Sequence, residues 1–406
     1  MFPRPILLSI SYACLVFSMF LLSDVPGGNE INKIVGFIFF IIFLFHIRGR
    51  RFVVTAEHIC LLLWCGYGLF ISLFARDSQV AFLKSLTIIQ LAVLSVLITN
   101  SIMWFSSVRY AAYLFVMAGI SSFLIMYTPL AELYHVQHSF VLMSRVAGTF
   151  RDTNMFGIVM VQVLFMAMFL FAIEKKMWLK LSLLGVAVIP CLGVYQSGSR
   201  AAVLCMAILL LIFVSWSFRV YDIKKPKRLI FFVLCVMIMI VIGFVVISEN
   251  PDIVRRYTIL YDVLSAGGDV AKETTGHSLK GRKWMMEFAL ELVYKYPFGV
   301  GLDNFSIHSP TGGFAHSNYF EILADTGIFG FLLFYACYLI LFVRVFRLSS
   351  VVATVVEKRM LLCFPLVLML LDVAMVNYYS KALWISFSII VADVILLKEH
   401  NRICSI

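Results

Sequence analysis

Apolar runs long enough to cross a bilayer recur along this chain, and they leave little choice of fold. A helix needs about 20 mostly apolar residues to span a hydrocarbon core of about 30 Å. Windows of that kind, bounded by charged or turn residues, fall near 5–23, 33–47, 57–75, 82–103, 110–127, 154–173, 180–196, 200–218, 229–248, 318–343, 360–378 and 382–397. Of 406 residues 62% are hydrophobic and 14% charged, and the mean hydropathy is +0.98, far outside the range of soluble domains. The runs are continuous rather than alternating, which selects helices over a barrel. The expectation is an all-α polytopic membrane protein with about 12 transmembrane helices, forming a single integral membrane domain over residues 1–406.

Lys and Arg accumulate on the cytoplasmic side of short loops. With the N-terminus inside, the inner loops carry RGRR (48–51), Lys175, Lys176, KKPKR (224–228), Arg344, Arg347, Lys358 and Arg359, and the tail adds Lys398 and Arg402. Both termini are therefore expected in the cytoplasm. The formal charge of +11 then reflects topology and contact with anionic membrane lipids, and no nucleic-acid partner is implied. The nine cysteines form no CxxC pair and most sit within spans, so neither a zinc site nor a disulfide framework is expected. Residues 5–23 run too long for a signal h-region and lack a small-residue cleavage site, so the first span is expected to stay.

Two outer segments, 128–153 and 249–317, are too long to be plain connections, and long ordered loops tend to carry function. In the second, SAGGDVAKETTGHS (265–278) reads as a hinge. The stretch after it has Trp284, Phe288, Leu292 and Val293 at helical spacing, with Arg282, Lys283, Glu287 and Glu291 between them. That pattern predicts an amphipathic helix ended by Pro297 and Gly299, too short to span and lying along the outer membrane boundary.

An ionisable group at membrane depth is costly enough to be a functional candidate by default. The candidates are Arg200, Glu321, Asp325 and Asp372, with Arg145, Arg151, Arg255, Arg256 and Arg282 on the same outer side. In YQSGSRAAVL (195–204) a Ser/Gly turn delivers Arg200 to head-group depth, where a guanidinium can grip a phosphate or simply anchor the helix. SRVAGTFRDTNMFG (144–157) offers Arg145 and Arg151 in a polar turn, with Asp152, Thr153 and Asn154 to cap the next span. His316 stands just before a span with Ser317, Asn318 and Glu321 beside it, and a neutral imidazole there can accept a hydroxyl proton. The other outer histidines, His135, His138, His277 and His308, have no partner at ligand spacing, so no metal and no cofactor are expected.

Taken in order, four stretches resemble the bacterial O-antigen ligase and surface-polysaccharide polymerase superfamily, membrane glycosyltransferases of GT-C type. They are SRVAGTFRDTNMFG, then SGSRAAVL with Arg200 and Leu204, then GRKWMMEFALELVYKYPFGVGLDNF (281–305), and HSNYFEILADTGIFG (316–330) with His316, Ser317, Gly327 and Gly330. Phe331 departs from the ligase pattern, which prefers Gly, Thr or Tyr there. The resemblance implies a GT-C-like fold with a periplasmic cap, its large loop 249–317 inserted between spans 9 and 10, in the bacterial inner membrane. It implies a metal-independent inverting transfer of a glycan from undecaprenyl diphosphate to a sugar hydroxyl at the periplasmic face. The acceptor is either a growing glycan, slightly favoured, or lipid A core. By position, His316 would activate the acceptor, Arg200 and Arg282 would hold the diphosphate, and Arg145, Arg151, Asn154, Asn318 and Glu321 would bind substrate.

A lipid-linked oligosaccharide transporter is the rival from another class. It would show inverted repeats, or spans broken by Gly and Pro in matching halves, and neither is visible in the sequence.

Overall fold

A computed structural model describes residues 5–135, 145–220, 276–348 and 355–404. Its long helices are α1 (Ile6–Leu21), α2 (Gly28–Ile47), α3 (Ala56–Ile71), α4 (Ser78–Phe105), α5 (Val108–Leu124), α6 (Thr153–Ile173), α7 (Met177–Gln196), α8 (Arg200–Val220), α9 (Gly276–Lys295), α10 (Asn318–Phe346), α11 (Val355–Ala374) and α12 (Lys381–Cys404). No strand occurs among the described residues. Every predicted span except the ninth coincides with one of these helices; the ninth, 229–248, lies outside the described residues, as do Arg255, Arg256 and most of the predicted hinge. Among the described residues seven helices, α2 to α7 and α10, are long and apolar enough to cross a membrane, α3 and α5 being counted with the short helical turn that continues each. The chain is an all-α polytopic membrane protein.

Helix α6 is apolar on every side and is buried by its neighbours along nearly its whole length. It packs on α5, α7, α8, α11 and α12 and forms the axis of the bundle. Helix α2 is also largely apolar but packs chiefly on α1 and α4 and buries just Gly28, Asn32, Phe39 and Phe43. Its remaining face, with Phe37 and Phe45 exposed, is a lipid-facing surface rather than a folding defect.

Helix starts follow local chemistry. The Asp77 carboxylate accepts from the N–H of Val80 at 3.0 Å and begins α4, and the Asp152 carboxylate accepts from Asn154 and Met155 at 2.7 and 2.9 Å and begins α6. At one end of the bundle Arg51 meets Glu399, Arg344 meets Glu57, Arg50 donates to the Trp104 carbonyl and Arg109 to that of Ile173. Among the described residues these contacts bring basic segments near 50, 109 and 344 to one end of the bundle, while KKPKR (224–228) lies outside the described residues.

Candidate functional site

The outer end is organised around α10. Ala315 donates its N–H to Glu321 Oε2 at 2.7 Å, which draws the chain back across the helix start. His316, caught between, takes φ 56°, a left-handed conformation unusual for a side chain with a β-carbon. Ser317 Oγ donates to the Asp372 carbonyl at 3.1 Å. Asn318 Oδ1 accepts the N–H groups of Asn377 and Tyr378, both at 3.2 Å, and Tyr335 donates its hydroxyl to Asp372 at 3.0 Å. Asn318, Glu321 and Asp372 are fully buried. The polar mouth of α10 is therefore fastened to the α11–α12 connection, and His316 is fixed by its backbone.

Nine residues on, α10 breaks. Gly327 has φ 65° and ψ −173°, outside helical space, and the freed backbone groups are taken up by the segment after α9. Val300 and Gly301 donate to the Ala324 and Asp325 carbonyls at 3.1 and 2.8 Å, and Ile328 donates to the Pro297 carbonyl at 3.2 Å. The Asp325 carboxylate accepts the N–H groups of Asp303 and Phe305 at 2.8 and 2.9 Å. A broken span can expose ion-binding carbonyls, but here its donors and acceptors are closed by protein. The stretches 297–301 and 327–330 are thus the two halves of one joint. Gly299 needs φ 98°, and a β-carbon there would lie 2.5 Å from the Asp325 carbonyl oxygen.

Across the rim, Arg145 Nε donates to the Ser197 carbonyl at 2.7 Å and its Nη2 to Asn154 Oδ1 at 3.1 Å. Ser197 opens the turn that carries Gly198 in the left-handed region and ends at Arg200, the first residue of α8. One guanidinium therefore ties the start of α6 to the turn presenting another. Arg151 is exposed, and its N–H donates to Asp24 at 2.9 Å.

Helix α9 closes the site from the loop side. It buries Met285, Ala289 and Leu292 against Val300, Phe305, Ala315 and Ala324, with Phe288 beside Phe305 at 5.8 Å. Of the predicted stripe, Leu292 is buried and Phe288 and Val293 pack against this cluster, whereas Trp284 is 40% exposed. Lys283, Glu287 and Glu291 are exposed as expected.

Charges on two different elements act on His316. Burial pushes its imidazole below the ordinary histidine range, the Arg282 guanidinium pushes the same way, and Asp152 opposes both. His316 thus lies within the fields of α9 and of the α6 start, where Asp152 is two residues from Asn154, the partner of Arg145. The reading from sequence passed over Lys84, which pairs with Asp303 at 3.3 Å and sits 4.3 Å over the Tyr379 ring on this same rim. A lone lysine inside an apolar run was the signal available.

A neutral imidazole in the field of the Arg282 guanidinium, at the end of a helical bundle, is suited to take a proton while an anionic leaving group departs. No curated protein matches the chain. A family model described as O-antigen ligase matches residues 185–335, the stretch that holds Arg200, Arg282 and His316, and this match supports the superfamily of O-antigen ligases and polymerases that the four sequence motifs resemble.

Proposed function

We propose that the protein is an inverting glycosyltransferase of surface-polysaccharide biosynthesis, acting at the periplasmic face of the inner membrane on a glycan carried by undecaprenyl diphosphate. The observation that supports the reading is the position of His316 in the combined fields of Arg282 and Asp152, where Asp152 lies two residues from Asn154, the partner of the Arg145 that also braces the turn of Arg200. In the reaction, the acceptor hydroxyl gives its proton to the neutral His316 imidazole as its oxygen bonds to the anomeric carbon. The bond from that carbon to the diphosphate oxygen breaks with its electron pair, and undecaprenyl diphosphate leaves. Arg200 and Arg282 stabilise the charge gathering on the diphosphate, which needs no metal in this scheme. Arg145, Arg151 and Asn154 stay with the substrate-binding rim. Asn318 and Glu321, being buried and hydrogen-bonded to backbone, act as positioning residues for His316.

The test is reconstitution of the purified chain with an undecaprenyl-diphosphate-linked repeat unit and no nucleotide, with and without chelator. Chain lengthening identifies a polymerase, the outcome we favour, and transfer only to added lipid A core identifies a ligase. Absence of any transfer by protein that is folded and inserted rejects the proposal.

A further inference from the structure

Asn318 and Arg344 are separated along α10 by about 40 Å at the rise of a helix, so the inner end of that helix lies a bilayer thickness from His316. There α10 and α12 border a cavity of about 580 Å³. One part of its lining is cationic, with Arg344, Arg347 and Lys398, and another is aliphatic, with Leu339, Ile340 and Val343. Among the described residues no acidic side chain lines it.

Arg344 is pinned from behind, because Glu57, fully buried, holds its guanidinium at 3.1 Å. That pair is close to neutral, which leaves Arg347 and Lys398 to set the charge of the cavity. The aliphatic residues come earlier along α10, up to about two turns, or roughly 12 Å, nearer the middle of the membrane. Leu339 and Val343 are exposed on this face. Charge at the membrane edge followed inward by an apolar wall is the order of groups in an amphiphile with an anionic head. Basic residues that only set topology have no need of a half-open cavity with such a wall.

We propose that this cavity binds one anionic phospholipid of the leaflet opposite His316. Its phosphate lies between Arg347 and Lys398 with Arg344 as the anchored third cation, and the first part of an acyl chain runs along Leu339, Ile340 and Val343. The site is separate from the transfer chemistry and does not depend on it.

The experiment counts lipids on the full chain by native mass spectrometry in detergent. The probes are phosphatidylglycerol, phosphatidylcholine with the same acyl chains, and inorganic phosphate. One phosphatidylglycerol should be retained per chain, and R347Q/K398Q should weaken it about thirtyfold, at about 1 kcal/mol for each cation near a lipid surface. R109Q, which removes a charge at the same end but outside the cavity, should leave binding unchanged. Circular dichroism and size-exclusion profiles of the double variant confirm that it folds. The proposal is overturned by equal retention of phosphatidylcholine or by undiminished phosphatidylglycerol binding in R347Q/K398Q. It is also overturned if inorganic phosphate binds as tightly as the lipid, since the aliphatic wall would then contribute nothing.

Discussion

Gly327 lies against Pro297 so closely that a β-carbon on Gly327 would stand 2.2 Å from the Pro297 carbonyl oxygen. This contact joins the outer half of α10 to the segment after α9, and the conformation of Gly327, φ 65° and ψ −173°, belongs almost wholly to glycine. Gly327→Ala should cost at least about 2 kcal/mol from backbone strain and the clash with main-chain atoms that have nowhere to move. It should lower the melting temperature in detergent and abolish transfer together. A Gly327→Ala protein that melts with the parent would show that the joint is not a structural requirement.

The hydrogen bond from Ala315 to Glu321 predicts a graded response at position 321. Glu321→Ala leaves a buried N–H without its acceptor, a cost of about 1–3 kcal/mol, and frees the backbone that sets His316. Misplacing a reacting group by about 1 Å costs on the order of a hundredfold in rate, so transfer should fall by about that factor. Glu321→Gln keeps a carbonyl oxygen in place and should retain most of the rate. Initial rates of the two variants decide the matter, and equal losses would argue against a positioning role.

Span positions were legible in the sequence because apolar length alone sets them, and the first eight predicted windows lie on α1 to α8. The break in α10 was not legible, although Asp325, Thr326 and Gly327 interrupt an apolar run. A glycine within a span signals several arrangements, and only the partner segment 297–305 selects this one. The pairing of Asn304 with the Asp77 backbone, 2.9 Å from the Asp77 N–H and 3.1 Å to its carbonyl, was hidden for the same reason, being separated by more than two hundred residues. Arg145, Arg200, Arg282 and His316 stood out as polar residues in a greasy chain. Their mutual arrangement depends on tertiary contacts such as that of Arg145 with Ser197, which no local pattern encodes. The exposure of Trp284 was not legible, because apolarity does not distinguish protein from lipid as a neighbour.

Arg145 offers a test of geometry against charge. Its Nε and Nη2 hold two different partners, the Ser197 carbonyl and Asn154, in one plane. A lysine carries the same charge on a single point and cannot span both. Arg145→Lys should therefore lower transfer at least about tenfold, chiefly through a higher KM for the lipid-linked donor, as the turn bearing Arg200 loosens. If lysine restores the parental KM, the residue contributes charge alone.

The pH profile carries the clearest signature of the base. A general base works in its neutral form, which prevails above its pKa, and burial together with Arg282 holds the His316 pKa below the ordinary value of 6.5. The acid limb of kcat/KM should therefore fall below pH 6.5, with a plateau through neutrality. Arg282→Gln removes a repelling cation, so the residual activity should show that limb at higher pH. Asp152→Asn removes an attracting anion while keeping a helix-capping side chain, so its limb should move to lower pH. Opposite displacements from two substitutions on different elements would be produced by a group lying between them. A limb that stays in place in both variants, or that persists in His316→Ala, would assign the titrating base to another residue.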